Sequence, residues 1–159
     1  MDKEAIVIKM AVSNWQAYVQ RTQKLFTELG DEKLLNAIAP GKNRGIYLLG
    51  HLTAYHDALV EILGLGTRNY PELYEVFLQN PDRADLPMPG LAQVKEVWYK
   101  VHERLDAGFA TMQPADWFAR HNAMTDEDFD KDPTRNKLNV LLNRTGHLAN
   151  HYGQLLLLK

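Results

Sequence analysis

Four segments of this chain place apolar residues at steps of three and four, and no segment alternates apolar and polar residues as a half-buried strand would. Ala11, Trp15, Tyr18, Thr22, Leu25, Phe26 and Leu29 form the first stripe, over about residues 4–29, and Gly30 supplies a C-terminal stop. Leu48, Leu52, Tyr55, Leu59, Ile62 and Leu63 form the second, over about 45–63, ended by Gly64 and Gly66. Leu91, Val94, Trp98, Val101, Leu105 and Phe109 mark a third over about 91–112. Leu138, Leu141, Thr145, Leu148, Tyr152 and Leu155 mark the last, over about 136–158. A helix with one apolar stripe must bury it, and four such helices do so around a common core. The pattern therefore predicts an all-α four-helix bundle with long connections.

The connections carry their own signals. Asp31 can cap a short helical piece, EKLLNAI, before the breaker-rich APGKNRG. Residues 64–90 hold one helical stretch, ELYEVFLQ, and then NPDRADLPMPG; a connection of that length usually covers something, and it argues against assuming simple up-down-up-down order. PADWF predicts another helical turn, followed by a polar stretch over 120–136.

A chain of 159 residues with 45% hydrophobic and 24% charged residues fits one domain, 1–159, with a single core. Eighteen Lys and Arg against twenty Asp and Glu leave a net charge of −2 with no block of like charge, so nucleic acid is not an expected partner. There is no 18-residue apolar run, and MDKEAIVIKMAV lacks an apolar core of signal-peptide length, so no membrane association and a cytoplasmic location are expected. The chain has no Cys, which leaves His, Asp and Glu as the side chains able to hold a metal.

His147 and His151 lie four apart in the last predicted helix, so they project from one face and can share an ion. On the helical wheel they stand at the rim of the apolar arc, and in the second helix His51 stands at a similar rim beside Tyr55, Ala58 and Ile62. A third imidazole is therefore available. With six His in the chain, about 0.2 such i, i+4 pairs arise by chance, so spacing alone leaves two readings open: a metal site, or rim imidazoles satisfied by hydrogen bonds. LLGHL and RTGHL each set a glycine directly before the histidine, which would ease close helix approach.

Other features take plainer readings. His56 lies about 140° around its helix from His51 and so is read as a packing or surface residue. His102 and His121 are expected on the surface or rim, and Trp15 and Trp98 in the core. DEDFDKD resembles the start of a calcium loop, but Lys131 and Lys137 occupy the positions that need Gly and Glu, so a solvated loop is expected. Asn143-Arg144-Thr145 matches a glycosylation sequon inside a predicted helix and is set aside.

HLANHYGQL near the C-terminal end, GHL in the second helix and the YHDALVEILG that follows it resemble the DinB-like (damage-inducible, YfiT-like) family of four-helix metalloproteins, and the likeness spans nearly the whole chain. The resemblance implies that His51, His147 and His151 bind a divalent metal with the remaining positions open to water or substrate. Zinc or nickel is the leading expectation, with iron or manganese compatible with the same nitrogen ligands. Tyr55, Asn143, Asn150 and Gln154 are in phase to support the imidazoles, and Arg144 to meet an anionic substrate. Two functions follow as expectations. One is a metal-dependent enzyme acting on a small molecule by hydrolysis or S-transfer, the latter with a low-molecular-weight thiol, as some relatives of the family use. The other is a non-catalytic, metal-stabilised bundle acting through protein partners. No catalytic residue beyond the ligands is assigned. No Glu of the HExxH kind lies between the two last ligands, which disfavours a metalloprotease. Family members often pair, and the wide apolar arc from Val140 to Leu142 leaves room for a homodimer surface.

Overall fold

The computed structural model describes residues 2–159. Six α-helices are present among them, with no strand: α1 Lys3–Leu34, α2 Gly45–Ile62, α3 Leu91–Thr111, α4 Pro114–Phe118, α5 Asp126–Lys131 and α6 Lys137–Leu155, extended by a 3-10 turn Leu156–Leu158. The four long helices are the four predicted stripes. Helix α1 packs on α6, α6 on α2, and α2 on α3. Phe26 of α1 meets Trp98 of α3 edge to face at 6.0 Å and closes the ring of helices. The sequential helices α1 and α2 are thus not the principal packing pair, whereas α2 and α3, joined by the long connection at 64–90, pack directly on each other. No helix among the described residues is long and apolar enough to cross a membrane.

Gly30 breaks the first helix where the sequence predicts a stop, and the short helical piece expected after it forms through Leu34. The Gly30 backbone adopts φ 72°, ψ 170°, a region open to glycine, and the helix resumes through Asp31–Leu34 after the kink. The reason is packing: Leu34, beyond the kink, is fully buried, so redirecting the chain inward adds a core residue that a clean stop would have lost.

Helix α2 departs furthest from the one-stripe expectation. Fourteen of its 18 residues are buried, which makes it the central helix of the bundle rather than an amphipathic one. What covers its outer face is the 64–90 connection. Leu73 and Phe77 from that segment are buried to 1% and 0% exposure, and ELYEVFLQ forms a π-helical turn over Glu75–Gln79. The segment is pinned at several points. Both oxygens of the buried Asp57 accept backbone N–H groups, from Asn69 at 3.0 Å and Tyr70 at 2.9 Å. Asp82 takes the Arg44 guanidinium at 2.6 Å and its backbone N–H at 2.8 Å, and the Tyr47 hydroxyl donates to the Asn80 carbonyl at 2.6 Å.

The two glycines that precede histidines have different reasons for being there. A Cβ on Gly50 would overlap the ring of Phe77, whereas one on Gly146 would meet nothing within 4 Å. Gly50 is therefore the seat of the covering segment, and Gly146 is an exposed helix-interior glycine. Gly50→Ala is expected to lower stability by about 1–3 kcal/mol through overpacking, while Gly146→Ala raises it by about 0.5–1 kcal/mol. Urea midpoints of the two variants, moving in opposite directions, check the assignment.

The acidic stretch at 126–132 is not a loop. Thr125 caps α5 by accepting the Asp128 N–H at 3.2 Å, and its carboxylates stay exposed, with Asp126 on Arg120 at 2.6 Å. A hydroxyl cap and acidic residues in the first turn suit a helix N-terminus, which the calcium-loop comparison obscured.

Candidate metal centre

Helices α2 and α6 carry the site. His51 projects from α2 toward α6, where His147 and His151 stand one turn apart. Their ring nitrogens converge: His147 Nε2 lies 3.2 Å from His51 Nε2 and 3.1 Å from His151 Nε2. Among the described residues these three form the group of His, Asp or Glu side chains close enough to share an ion.

Two of the tautomers are set from behind. His51 Nδ1 is 2.8 Å from the Phe77 carbonyl, which can only accept, so Nδ1 carries the proton and Nε2 presents a lone pair. His151 Nδ1 lies 2.7 Å from Gln154 Oε1 and is set in the same way. His147 Nδ1 is buried without a hydrogen-bond partner. Three Nε2 atoms therefore meet at contact distance with at most one proton among them, carried by His147. Hydrogen bonding cannot satisfy that arrangement, because one proton serves one acceptor and the remaining lone pairs face each other.

Electrostatics keep the cluster neutral. Burial, joined by the facing His151 and His51, holds His147 down at about 4. Burial also lowers His51 and His151, although the Phe77 carbonyl and Gln154 pull each partly back. Neutral imidazole is the form that binds metal. The spacing also fits: ligand nitrogens at about 2.0–2.1 Å from an ion stand roughly 3.0–3.4 Å apart.

The remaining sequence candidates divide. Tyr55 lies edge-on to both His51, at 4.8 Å, and His147, at 5.0 Å, between ring centres. Arg144 stacks over Tyr55 at 4.5 Å, and Gln154 supports His151. Asn143 and Asn150 are exposed on α6, Asn143 bonding Asn139 at 3.3 Å, and the structure does not bring either to the imidazoles. The Phe77 carbonyl, absent from the sequence candidates, is a backbone group; its only advance signal was a long connection with something to cover.

His102 corrects the surface expectation. It is 3% exposed, donates from Nδ1 to the Trp98 carbonyl at 2.7 Å and accepts at Nε2 from His56 Nδ1 at 2.9 Å. Both rings pack against Trp15, at 4.6 Å for His56 and 5.9 Å for His102. His56 is thus a packing residue, as its phase suggested. His102 was misplaced because its partner sits on another helix. His121 is half-buried, its Nδ1 accepting the Ala123 N–H at 3.2 Å.

No curated protein matches the sequence. A family model described as the DinB superfamily matches residues 15–155, a span that takes in all three histidines and most of the bundle that positions them. Fold, site and family model agree, and the chain belongs to the DinB superfamily.

Proposed function

We propose that this protein is a divalent-metal-dependent enzyme that acts on a small molecule by hydrolysis or by thiol S-transfer. One observation carries the reading: three Nε2 atoms 3.1–3.2 Å from neighbour to neighbour, with at most one proton to share. A cation resolves that conflict, and zinc or nickel suits three imidazoles best, with iron or manganese the alternatives. Such an ion supplies Lewis acidity, lowering the pKa of a water or thiol and polarising an electrophile.

The chain's own residues hold the ligands and leave room. Phe77 and Gln154 orient two imidazoles, and no Asp, Glu or Cys completes the group among the described residues. Structural zinc sites normally close with four protein ligands, so a three-ligand set favours an open, reactive site. We place this activity in the cytoplasm and in a homodimer, for which Leu142, 47% exposed on α6, offers apolar surface.

The test is metal analysis of protein purified without a histidine tag, followed by turnover assays of metal-loaded and chelated samples with thiols plus electrophiles and with hydrolysable esters and amides. One ion per chain and turnover lost on chelation are expected. A metal-dependent melting point without turnover would instead assign a non-catalytic, metal-stabilised bundle acting through protein partners, and no metal binding would remove both readings.

A further inference from the structure

Arg144 sits beside the three histidines without a counter-charge. Three other part-buried arginines are ion-paired, Arg44 with Asp82 at 2.6 Å, Arg68 with Glu61 at 2.6 Å and Arg120 with Asp126 at 2.6 Å, and a fourth, Arg104, donates to the Thr67 carbonyl at 2.7 Å. Arg144 is half-buried, no carboxylate among the described residues lies within ion-pair distance, and its Nε is buried with no hydrogen-bond partner. What it has is the face of Tyr55, 4.5 Å from the guanidinium carbon, and that ring in turn lies 5.0 Å from His147. Cation–π contact holds the group in place but leaves its N–H donors unused.

A second unused donor belongs to the covering segment. The Tyr74 hydroxyl is buried with no partner, and it and Arg144 influence each other electrostatically. Burial raises this phenol to about 12, so it remains an O–H donor at neutral pH. Tyr74 comes from the covering segment that also brings Phe77 to His51, so α6 and the cover each contribute one donor. Buried donors left unpaired are costly. A guanidinium is the group best shaped to bind an oxyanion.

We propose that Arg144, seated on Tyr55 and joined by Tyr74, is an oxyanion-binding subsite, and that the small molecule taken by the three-histidine centre carries a carboxylate or phosphate. The proposal rests on the metal reading for its second half only. The two ring separations keep the guanidinium within reach of a short ligand that also touches the histidine centre, which favours compact molecules with an anionic group a few bonds from the coordinating atom.

The test has two arms. In metal-free protein, the Arg144 Nε–H resonance, assigned by its absence in Arg144→Lys, is followed by NMR during titration with propionate, inorganic phosphate or neutral propionamide. A saturable shift with one or both anions, and none with propionamide, is expected; which anion acts separates carboxylate from phosphate chemistry. In cobalt(II)-loaded protein, thiolate-to-metal bands report binding of 3-mercaptopropionate and 2-mercaptoethanol. At least tenfold preference for the carboxylate thiol is expected, falling to near unity in Arg144→Gln, reduced severalfold in Tyr74→Phe and partly kept in Arg144→Lys, with cobalt affinity unchanged in all three. An unmoved Nε–H resonance, or equal binding of the two thiols by the wild type, overturns the proposal. Failure of cobalt to bind while the resonance still shifts overturns the metal reading and leaves the oxyanion subsite standing.

Discussion

Replacing His147 with alanine is expected to weaken divalent-metal binding by more than about 100-fold, beyond the 10–100-fold loss typical of removing a supporting partner. His147 Nε2 is the atom in contact with both other candidate ligand nitrogens, at 3.2 and 3.1 Å, so its loss leaves only two imidazoles, one on α2 and one on α6, to hold an ion. Gln154→Leu gives the graded control. It removes the acceptor from His151 Nδ1 while keeping every ligand, and its loss should fall in the 10–100-fold range. Stability reports the same hierarchy. Metal at 100 times its Kd adds about 2.7 kcal/mol to the folded state, equivalent to a rise in Tm of roughly 5–10 °C for a domain of this size. Titration calorimetry and thermal melts with zinc and nickel should show the full rise in the wild type, the same rise at higher metal in Gln154→Leu, and none in His147→Ala. An equal metal-dependent rise in His147→Ala would mean that the ion binds elsewhere.

The parts of this arrangement that could be read from the sequence are those governed by helical periodicity. Trp15, Leu52, Trp98 and Leu148 each lie in a stripe, and each is buried to 1% exposure or less. His51, His147 and His151 stood at the rims of such stripes, and the chain brings the same three together. Periodicity could not show what arrives from a segment without a period. The π turn at Glu75–Gln79 covers α2, buries the face that carries Gly50 and delivers the Phe77 carbonyl to His51. A backbone carbonyl has no side-chain signature. Gly30 was legible as a break and EKLLNAI as a short helical piece after it; the burial of Leu34, a tertiary gain, was not. His102 lies four residues after Trp98 and so shares its direction within about 40°. That phase was a usable signal; its pairing with His56 of α2 was not.

That buried pair makes acid the chain's weak condition. His56 and His102 are enclosed by Trp15 from α1 and Trp98 from α3, and the bonds they make suit neutral rings: His102 donates to the Trp98 carbonyl and accepts from His56. Burial lowers His102 from 6.5 to about 4 and pushes His56 well below its ordinary value. For a base whose folded pKa is depressed, the unfolded chain binds more protons between the two pKa values, so stability is intact above about pH 6.5 and is lost as pH falls toward 4. At pH 5 the linkage for His102 alone amounts to about 2 kcal/mol, and His56 adds to it with the same sign. Urea midpoints of metal-free protein should therefore fall between pH 7.5 and 5, with the lowered His147, His51 and His151 adding a share of the same sign. His56→Leu/His102→Leu, which removes both titrating rings together and leaves no half of the pair unsatisfied, should shrink that fall by at least about 2 kcal/mol. Should the double variant fold poorly at neutral pH, His102→Gln keeps a donor and an acceptor without titrating and should remove the His102 share. An acid limb as steep in these variants as in the wild type would place the sensitivity outside the His56–His102 pair.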